Sequence, residues 1–565
     1  MKIILLFFLI ATVVQGQNLH PKDYFLSPLD IPLQLSGNFG ELRPNHFHAG
    51  FDFKTQKVEG FKVYASADGY VSRIKIAFSG YGKAIYITHP NGYTTVYGHL
   101  QSGFGEIEKF IKKEQYKAKS FEIDIYLKPT DLLVKKGDVI AFSGNTGGSD
   151  GPHLHYEIRD TQSEKIINPM YFGFDKVILD EKPPIINSLW VYPLDEKAIV
   201  NQSKRPIAVN LSLQSDGSYI AEKIFATGKI GFGIVTYDFD NVSWNANSIF
   251  KIQTFLNGKS AFKYQFDTFS FDETRYVNAL IDYKRYKELG QRVQKLFMTN
   301  PYPLSIIKSD EQHGIVSLKP DLAQMYRIEV SDFQNNTTKI FVPIEYSPRV
   351  AKLLEEDSPR KYLVKAGKDN IFATDNVTVT IPANTFLDDF KMNFAVNNGI
   401  LKLHDDIVPA FKNFQITFED SISSAVDHEK IFIGSISGKK IYYNNTKRFK
   451  NSFTIYTKYL GDYMLFKDTI APKIKMSKSI EGKWITKQSE LQFTISDDLS
   501  GIKSYDGYLN GKWILLEYDS KTNKLVHHFS DGVATDGKND LKLVVTDNVG
   551  NSSIFETHFF RSQKH

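Results

Sequence analysis

The chain has 565 residues, with 69 Lys and Arg against 64 Asp and Glu, a formal charge of +5 and no cysteine. The missing cysteines exclude disulfides and thiolate metal sites, so any bound metal must be held by His, Asp, Glu or water. The small charge is spread along the chain with no dense basic block, which argues against a nucleic-acid groove, and the length predicts about three to five domains. Aromatic residues make up 14% of the chain, with 43 Phe and 30 Tyr, a composition that suits strands, where such side chains pack well on a pleated surface.

The first residues, "MKIILLFFLIATVVQGQN", carry one lysine, an apolar run from Ile3 to Val14 and a small residue at Gly16. Together these read as a secretory signal over 1–16, cut near Gly16 or Gln17. No later run approaches the length of a membrane span, so the expected location is outside the cytoplasm: periplasm or cell envelope, or secreted.

From Leu26 to about Phe174, short strands alternate with turn signals in "GFKVYASADGYVSRIKIAF", "GKAIYITHPNGYTTVYGHL" and "VKKGDVIAFSGNTGG". An antiparallel, barrel-like β domain is expected over 17–180. Asn91-Gly92 predicts a tight hairpin turn of the primed kind, and on its second arm Thr95, Tyr97 and His99 lie two apart and should share a face. Tyr97 would then be a packed aromatic or a neighbour of the site. Between His99 and Lys135, Ile107, Phe110 and Ile111 have helical spacing. The insertion at about 101–134 is thus expected to hold a short amphipathic helix, serving either as a lid or as a decoration packed on the barrel wall.

A linker is expected near Pro183 and Pro184. Beyond it, "GKIGFGIVTYDFDN" with "YRIEVSDFQNNTTKIFVPI", and later "ELQFTISDDLSGI" with "LKLVVTDNVGNSSIFETHF", look like two copies of one module. In each copy strands end in Asp-rich turns. The division expected is a β-sandwich over 181–346, a β-rich module of unnamed fold over 350–468 and an immunoglobulin-like β-sandwich over 470–565, which makes the chain all-β apart from the helical insertion.

The chemistry concentrates in the first domain. "RPNHFHAGFDF" sets His48, Gly50 and Asp52 at i, i+2 and i+4, on one face of an extended strand, with Gly50 leaving room between two larger side chains. "SDGPHLHYEIR" adds His153 and His155 with the same spacing. Two histidines and a carboxylate leave a fourth position open, the arrangement of catalytic zinc sites, although the donor set also accommodates other divalent ions. A lone His-x-His is more often an ordinary strand; the conjunction of His48, Asp52, His99, His153 and His155 in one domain carries the reading. His428-Glu429 lacks the second histidine of a His-Glu-x-x-His helix, and it reads as structural or exposed, as do His313, His404, His527, His528 and His558.

The stretch from about 35 to 172 resembles the lysostaphin-type (LytM-like) family of zinc peptidoglycan endopeptidases. The resemblance rests on "HAGFD" (48–52), "VYASADGYV" (63–71), "YGHL" (97–100), "VKKGDVIAFSGNTG" (134–147) and "GPHLHYEIR" (151–159), in the family's order. It implies one zinc ion ligated by His48, Asp52 and His155, with His153 and His99 as the catalytic pair, their individual roles left open. It also implies hydrolysis of a peptide bond in the stem or cross-bridge of peptidoglycan. The connection from His99 to Lys135 is longer than in the family's small members. Two rival readings are a non-hydrolytic envelope scaffold or activator that binds peptidoglycan, and a secreted protease acting on proteins. The later β modules would contact envelope proteins or glycans, or act as spacers.

Overall fold

The computed structural model describes residues 20–242, 244–320, 322–354, 361–374, 376–420 and 425–562. The leader expected over 1–16 lies outside the described residues. Among those residues, no helix is long and apolar enough to cross a membrane.

The first domain is built on an antiparallel sheet. Its strands are β1 (Leu35–Gly37), β2 (Phe51–Lys54), β3 (Gly69–Ile76), β4 (Lys83–Thr88), β5 (Tyr93–Gly98), β6 (Ile123–Tyr126) and β8 (His153–Asp160). They pair in the order β1-β2-β8-β5-β4-β3-β6. A smaller sheet joins β7 (Val139–Ser143) to Lys62–Tyr64 and Leu100–Gly103. Strand alternation in β8 sends Leu154, Tyr156 and Ile158, each 0% exposed, into the apolar core. His153, His155, Glu157 and Arg159 therefore occupy the opposite face. The central position of β8 brings His155 opposite Asp52 of β2 on one side and opposite Gly98 of β5 on the other.

Three local expectations change in detail. The β4–β5 hairpin forms, but of the Asn91-Gly92 pair only Gly92 has a left-handed backbone (φ 85°). The turn is therefore of neither primed type, since I′ needs positive φ at both central residues and II′ at the first. At the other end β5 stops at Gly98, and His99 is left-handed (φ 58°). The break in alternation removes His99 from the face of Tyr97, whose buried hydroxyl accepts a hydrogen bond from the Ser66 amide at 2.9 Å. Tyr97 is thus a packed aromatic. Gly50 lies just outside β2, and the room it provides is for the neighbouring strand: a Cβ there would sit 2.2 Å from the Tyr156 carbonyl oxygen.

The insertion forms α1 (Gly105–Ala118), with Glu106 and Glu108 in the first turn and Lys117 in the last, in agreement with the helix dipole. Ile107, Ile111 and Gln115 are buried on its inner face. Its outer face is covered by the last module: Lys112 Nζ meets Glu517 at 3.1 Å and Asp531 at 3.4 Å, and the Tyr116 hydroxyl donates to Asp531 at 2.8 Å.

Past the first domain, Ile166–Ile167 pairs with Thr268–Phe269, so the peptidase sheet continues into the following region. One apolar core runs through both, with Phe47 packed against Phe266 and Phe269. Separate cores lie within 364–463 and 480–559. The last is enclosed by two four-stranded antiparallel sheets.

Candidate metal centre and active site

Three side chains converge at the β2–β8 junction. His48 Nε2 lies 3.1 Å from Asp52 Oδ1 and 3.1 Å from His155 Nδ1, and His155 Nδ1 lies 2.9 Å from Asp52 Oδ1. All three residues are at most 3% exposed. The second atom of each side chain is tied elsewhere, which fixes its orientation. His48 Nδ1 donates to the Asn38 carbonyl at 2.7 Å, and Arg43 Nη2 donates to Asp52 Oδ2 at 2.5 Å. His155 Nε2 is 2.8 Å from Glu157 Oε1. A carboxylate or carbonyl on the far side of a ligating histidine is the usual outer support of a metal site, setting tautomer and ring orientation.

Burial opposes ionisation of Asp52, yet the imidazoles of His48, His153 and His155 hold its carboxyl well below the usual range. Burial also works to lower His155, but Asp52 and Glu157 on its two ring nitrogens raise it to about 9. For His48 burial prevails and the pKa falls. Glu157 is brought down to about 2 against its own burial, by Arg159 first and then by His155 and Tyr81. The Arg159 side chain grips it at 2.6 Å, and the Tyr81 hydroxyl donates to it while the Tyr81 ring stacks on His155.

His153 and His99 stand beside the cluster with ring centroids 4.7 Å apart. His99 Nδ1 donates to the Thr146 carbonyl at 2.8 Å, and His153 Nδ1 to the Gly151 carbonyl at 2.8 Å with Ser149 Oγ at 3.1 Å. His153 Nε2 lies 3.3 Å from Asp52 Oδ1 but makes no hydrogen bond, although it is buried. Burial, together with the neighbouring His155 and His153, lowers His99 to about 3, so its ring is neutral. Asp52, His99 and His153 open onto a cleft of about 1000 Å³ whose walls include Arg43, Lys54 and Arg292. None of the cleft-lining residues comes from 101–134, whose helix α1 packs instead between the barrel and the last module.

The structure therefore brings together all five residues singled out in the sequence. Glu157, Arg159, Tyr81, Arg43 and Asn38 were missed. Glu157 and Arg159 carry a readable signal, since they continue the same-face alternation begun by His153 and His155. Asn38 comes from a loop and Arg43 from the two-residue strand Leu42–Arg43, too short to leave a periodic trace.

A two-histidine, one-carboxylate cluster at a sheet junction, flanked by two further histidines in an open cleft, is a donor arrangement that suits a hydrolytic metal centre. Residues 46–122 and 124–169 match the model of peptidase family M23, and the chain carries an M23 catalytic domain there. Residues 361–468 match a Zu5-like domain, in the region whose fold the sequence left unnamed. An uncharacterised metalloprotease of Haemophilus influenzae is 35% identical over 165 residues, 28% of each chain. The DD-carboxypeptidase/endopeptidase Mpg of Neisseria meningitidis serogroup B is 38% identical over 150 residues, 26% of this chain and 28% of the relative. The peptidoglycan DD-endopeptidase ShyC of Vibrio cholerae is 32% identical over 143 residues, 24% of this chain and 27% of the relative. The match thus spans little more than a quarter of each relative's length.

Proposed function

We propose that this chain is an exported metallo-endopeptidase that hydrolyses peptide bonds in the stem or cross-bridge peptides of peptidoglycan. One zinc ion would be held by His48 Nε2, Asp52 Oδ1 and His155 Nδ1. The observation that carries the reading is the convergence of those three donors within 3.1 Å of one another, beside the unpartnered buried nitrogen of His153. Donors of this chemistry, each anchored at its far atom, fit a catalytic zinc with an open position. When bound, zinc would polarise the scissile carbonyl and acidify a water molecule.

The chain's own residues supply the proton handling. Because Nδ1 of both His99 and His153 donates to a carbonyl, Nε2 is the working atom of each. A neutral imidazole there accepts the proton of the attacking water and returns it to the leaving amine, and a protonated one donates to the developing oxyanion. Arg43 keeps Asp52 oriented, and the cationic side chains of Lys54 and Arg292 along the cleft suit a peptide bearing free carboxylates. The domain division proposed is peptidase over 17–180, β-sandwich over 181–346, β-rich module over 350–468 and immunoglobulin-like module over 470–565. The last three position the enzyme or contact envelope partners.

The test is incubation of the zinc-loaded full chain with purified peptidoglycan, wild type beside His153→Ala, reading new peptide termini by mass spectrometry. The proposal expects new termini from the wild type alone, with zinc bound by both proteins. Peptidoglycan binding without cleavage would favour the scaffold reading, and cleavage of glycine-rich proteins with the wall spared would favour the protein protease.

A further inference from the structure

A second cluster of donors lies where the peptidase domain hands over to the next module. Asp180 belongs to the connecting segment, Asp238 follows the strand Lys229–Tyr237, and Asp332 follows the strand Gln324–Ser331. Each offers a carboxylate oxygen, and these oxygens lie within 4.8 Å of one another. Asp238 is 5% exposed and its Oδ1 is buried without a hydrogen-bond partner. Asn247, 7% exposed, lines the same cavity of about 40 Å³; its Nδ2 donates to Asp240 at 3.4 Å and its Oδ1 is likewise buried and unpartnered. Two orphaned buried oxygens facing a space of that size are costly unless something electropositive satisfies them.

We infer that Asp180, Asp238 and Asp332, with the Asn247 side-chain oxygen, form a site for one calcium-type divalent cation that braces the peptidase domain against the module behind it. The donors are all oxygen, three of them carboxylate, with no imidazole. That set suits a hard cation and distinguishes this site from the histidine-rich centre. The electrostatics agree. Burial, and then the other two carboxylates, push Asp238 up, while burial and Asp180 push Asp332 up to about 6. The ammonium of Lys182 is engaged by the Asp240 carbonyl at 2.9 Å.

The same wiring recurs later in the chain, which shows what is special here. Asn336 donates from Nδ2 to the Asp180 carbonyl (2.9 Å) and to Asp332 Oδ2 (2.6 Å), and from its amide to Asp332 Oδ1 (2.8 Å). Asn551 does the same to the Asp468 carbonyl (3.1 Å), Asp547 Oδ2 (2.7 Å) and Asp547 Oδ1 (2.8 Å). In that copy, however, main-chain donors take up the other carboxylates. Ile470 and Ser500 donate to the two oxygens of Asp468, and Leu499 and Gly501 donate to Asp497 Oδ2. In the first copy Asp180 Oδ1 likewise receives the Lys182 amide at 3.0 Å, but Asp238 Oδ1 is buried with no hydrogen-bond partner, and that oxygen is what the first copy leaves open for an ion.

The experiment is calorimetric titration of calcium into the zinc-saturated full chain, with thermal melts with and without calcium, for the wild type and for Asp238→Asn and Asp332→Asn. Asparagine keeps the shape and removes one charge. The wild type should take up calcium and melt at a higher temperature with it; each variant should lose one equivalent or bind it roughly tenfold or more weakly, with that calcium-dependent shift gone. Without calcium, Asp238→Asn should melt no lower than the wild type, because it removes a repelling carboxylate. Absence of calcium binding by the wild type, or equal affinity and equal shift in both variants, would overturn the inference.

Discussion

Replacing Gly50 by alanine should break the metal centre without touching a ligand. A Cβ at position 50 would stand 2.2 Å from the Tyr156 carbonyl oxygen and 2.8 Å from Glu157 Cγ, against 3.4 Å for an ordinary contact. The nearest atom is main chain, so β2 and β8 must separate locally by about 1.2 Å, the difference of those two distances. Asp52 rides on one strand and His155 on the other, 2.9 Å apart. A metal site tolerates displacements of only about 0.5 Å. Overpacking of this kind costs about 1–3 kcal/mol of stability, and zinc affinity should fall by at least the roughly 10–100-fold that loss of an outer support produces. The control is Gly151→Ala, at the rim of the same cleft, where an added Cβ meets nothing within 4 Å. Zinc affinity would be read by competition with a chromophoric chelator, alongside thermal melts. The reasoning is refuted if Gly50→Ala binds zinc as tightly as Gly151→Ala and melts with it.

Glu157→Gln should weaken zinc binding by roughly 10–100-fold, because His155 loses its anionic support, and should lower the melting temperature, because buried Arg159 loses its partner; unchanged affinity in the chelator assay would contradict this. Lys521 of the last module donates to the carbonyl and side-chain oxygens of Asn145 and to the Ser149 carbonyl, in the loop whose Thr146 carbonyl and Ser149 hydroxyl contact His99 and His153. Lys521→Ala should therefore reduce turnover by about fivefold, one hydrogen bond's worth, with zinc content unchanged and activity recovered by Lys521→Arg. Docking of the last module on α1 should be acid-sensitive. Glu517, despite its burial, is lowered from 4.5 to about 2 by Lys83 and Lys112. Its contribution, ~3 kcal/mol, is whole above pH 4.5 and is lost as pH falls through that value toward 2; protection of the α1 amides, corrected for intrinsic exchange, should fall over that window in the wild type and fall less in Glu517→Gln, where only Asp531 still titrates against the helix.

The candidate metal cluster was legible because a strand writes its faces into the sequence at period two. His153 and His155 fell on one face, and Leu154, Tyr156 and Ile158 on the other, as the alternation requires. The same rule failed at His99, where the strand ends one residue early and a left-handed residue turns the side chain away from Tyr97. Nothing local marks that break. The reason for Gly50 was also hidden, since it depends on a strand over a hundred residues away. Contacts such as Lys112 with Glu517 and Lys521 with Ser149 join segments that no periodicity connects. For the same reason, the role of the insertion as a platform for the last module had to come from the fold.

The measurement that bears most directly on the account is the zinc content of the purified full chain and its single-alanine variants. The account predicts one zinc per wild-type chain, its loss in the His48, Asp52 and His155 variants, and its retention in the His99 and His153 variants, which bind zinc but do not cleave wall peptide. Zinc kept by His155→Ala, or lost with His153→Ala, would contradict the division of the five residues into ligands and proton carriers.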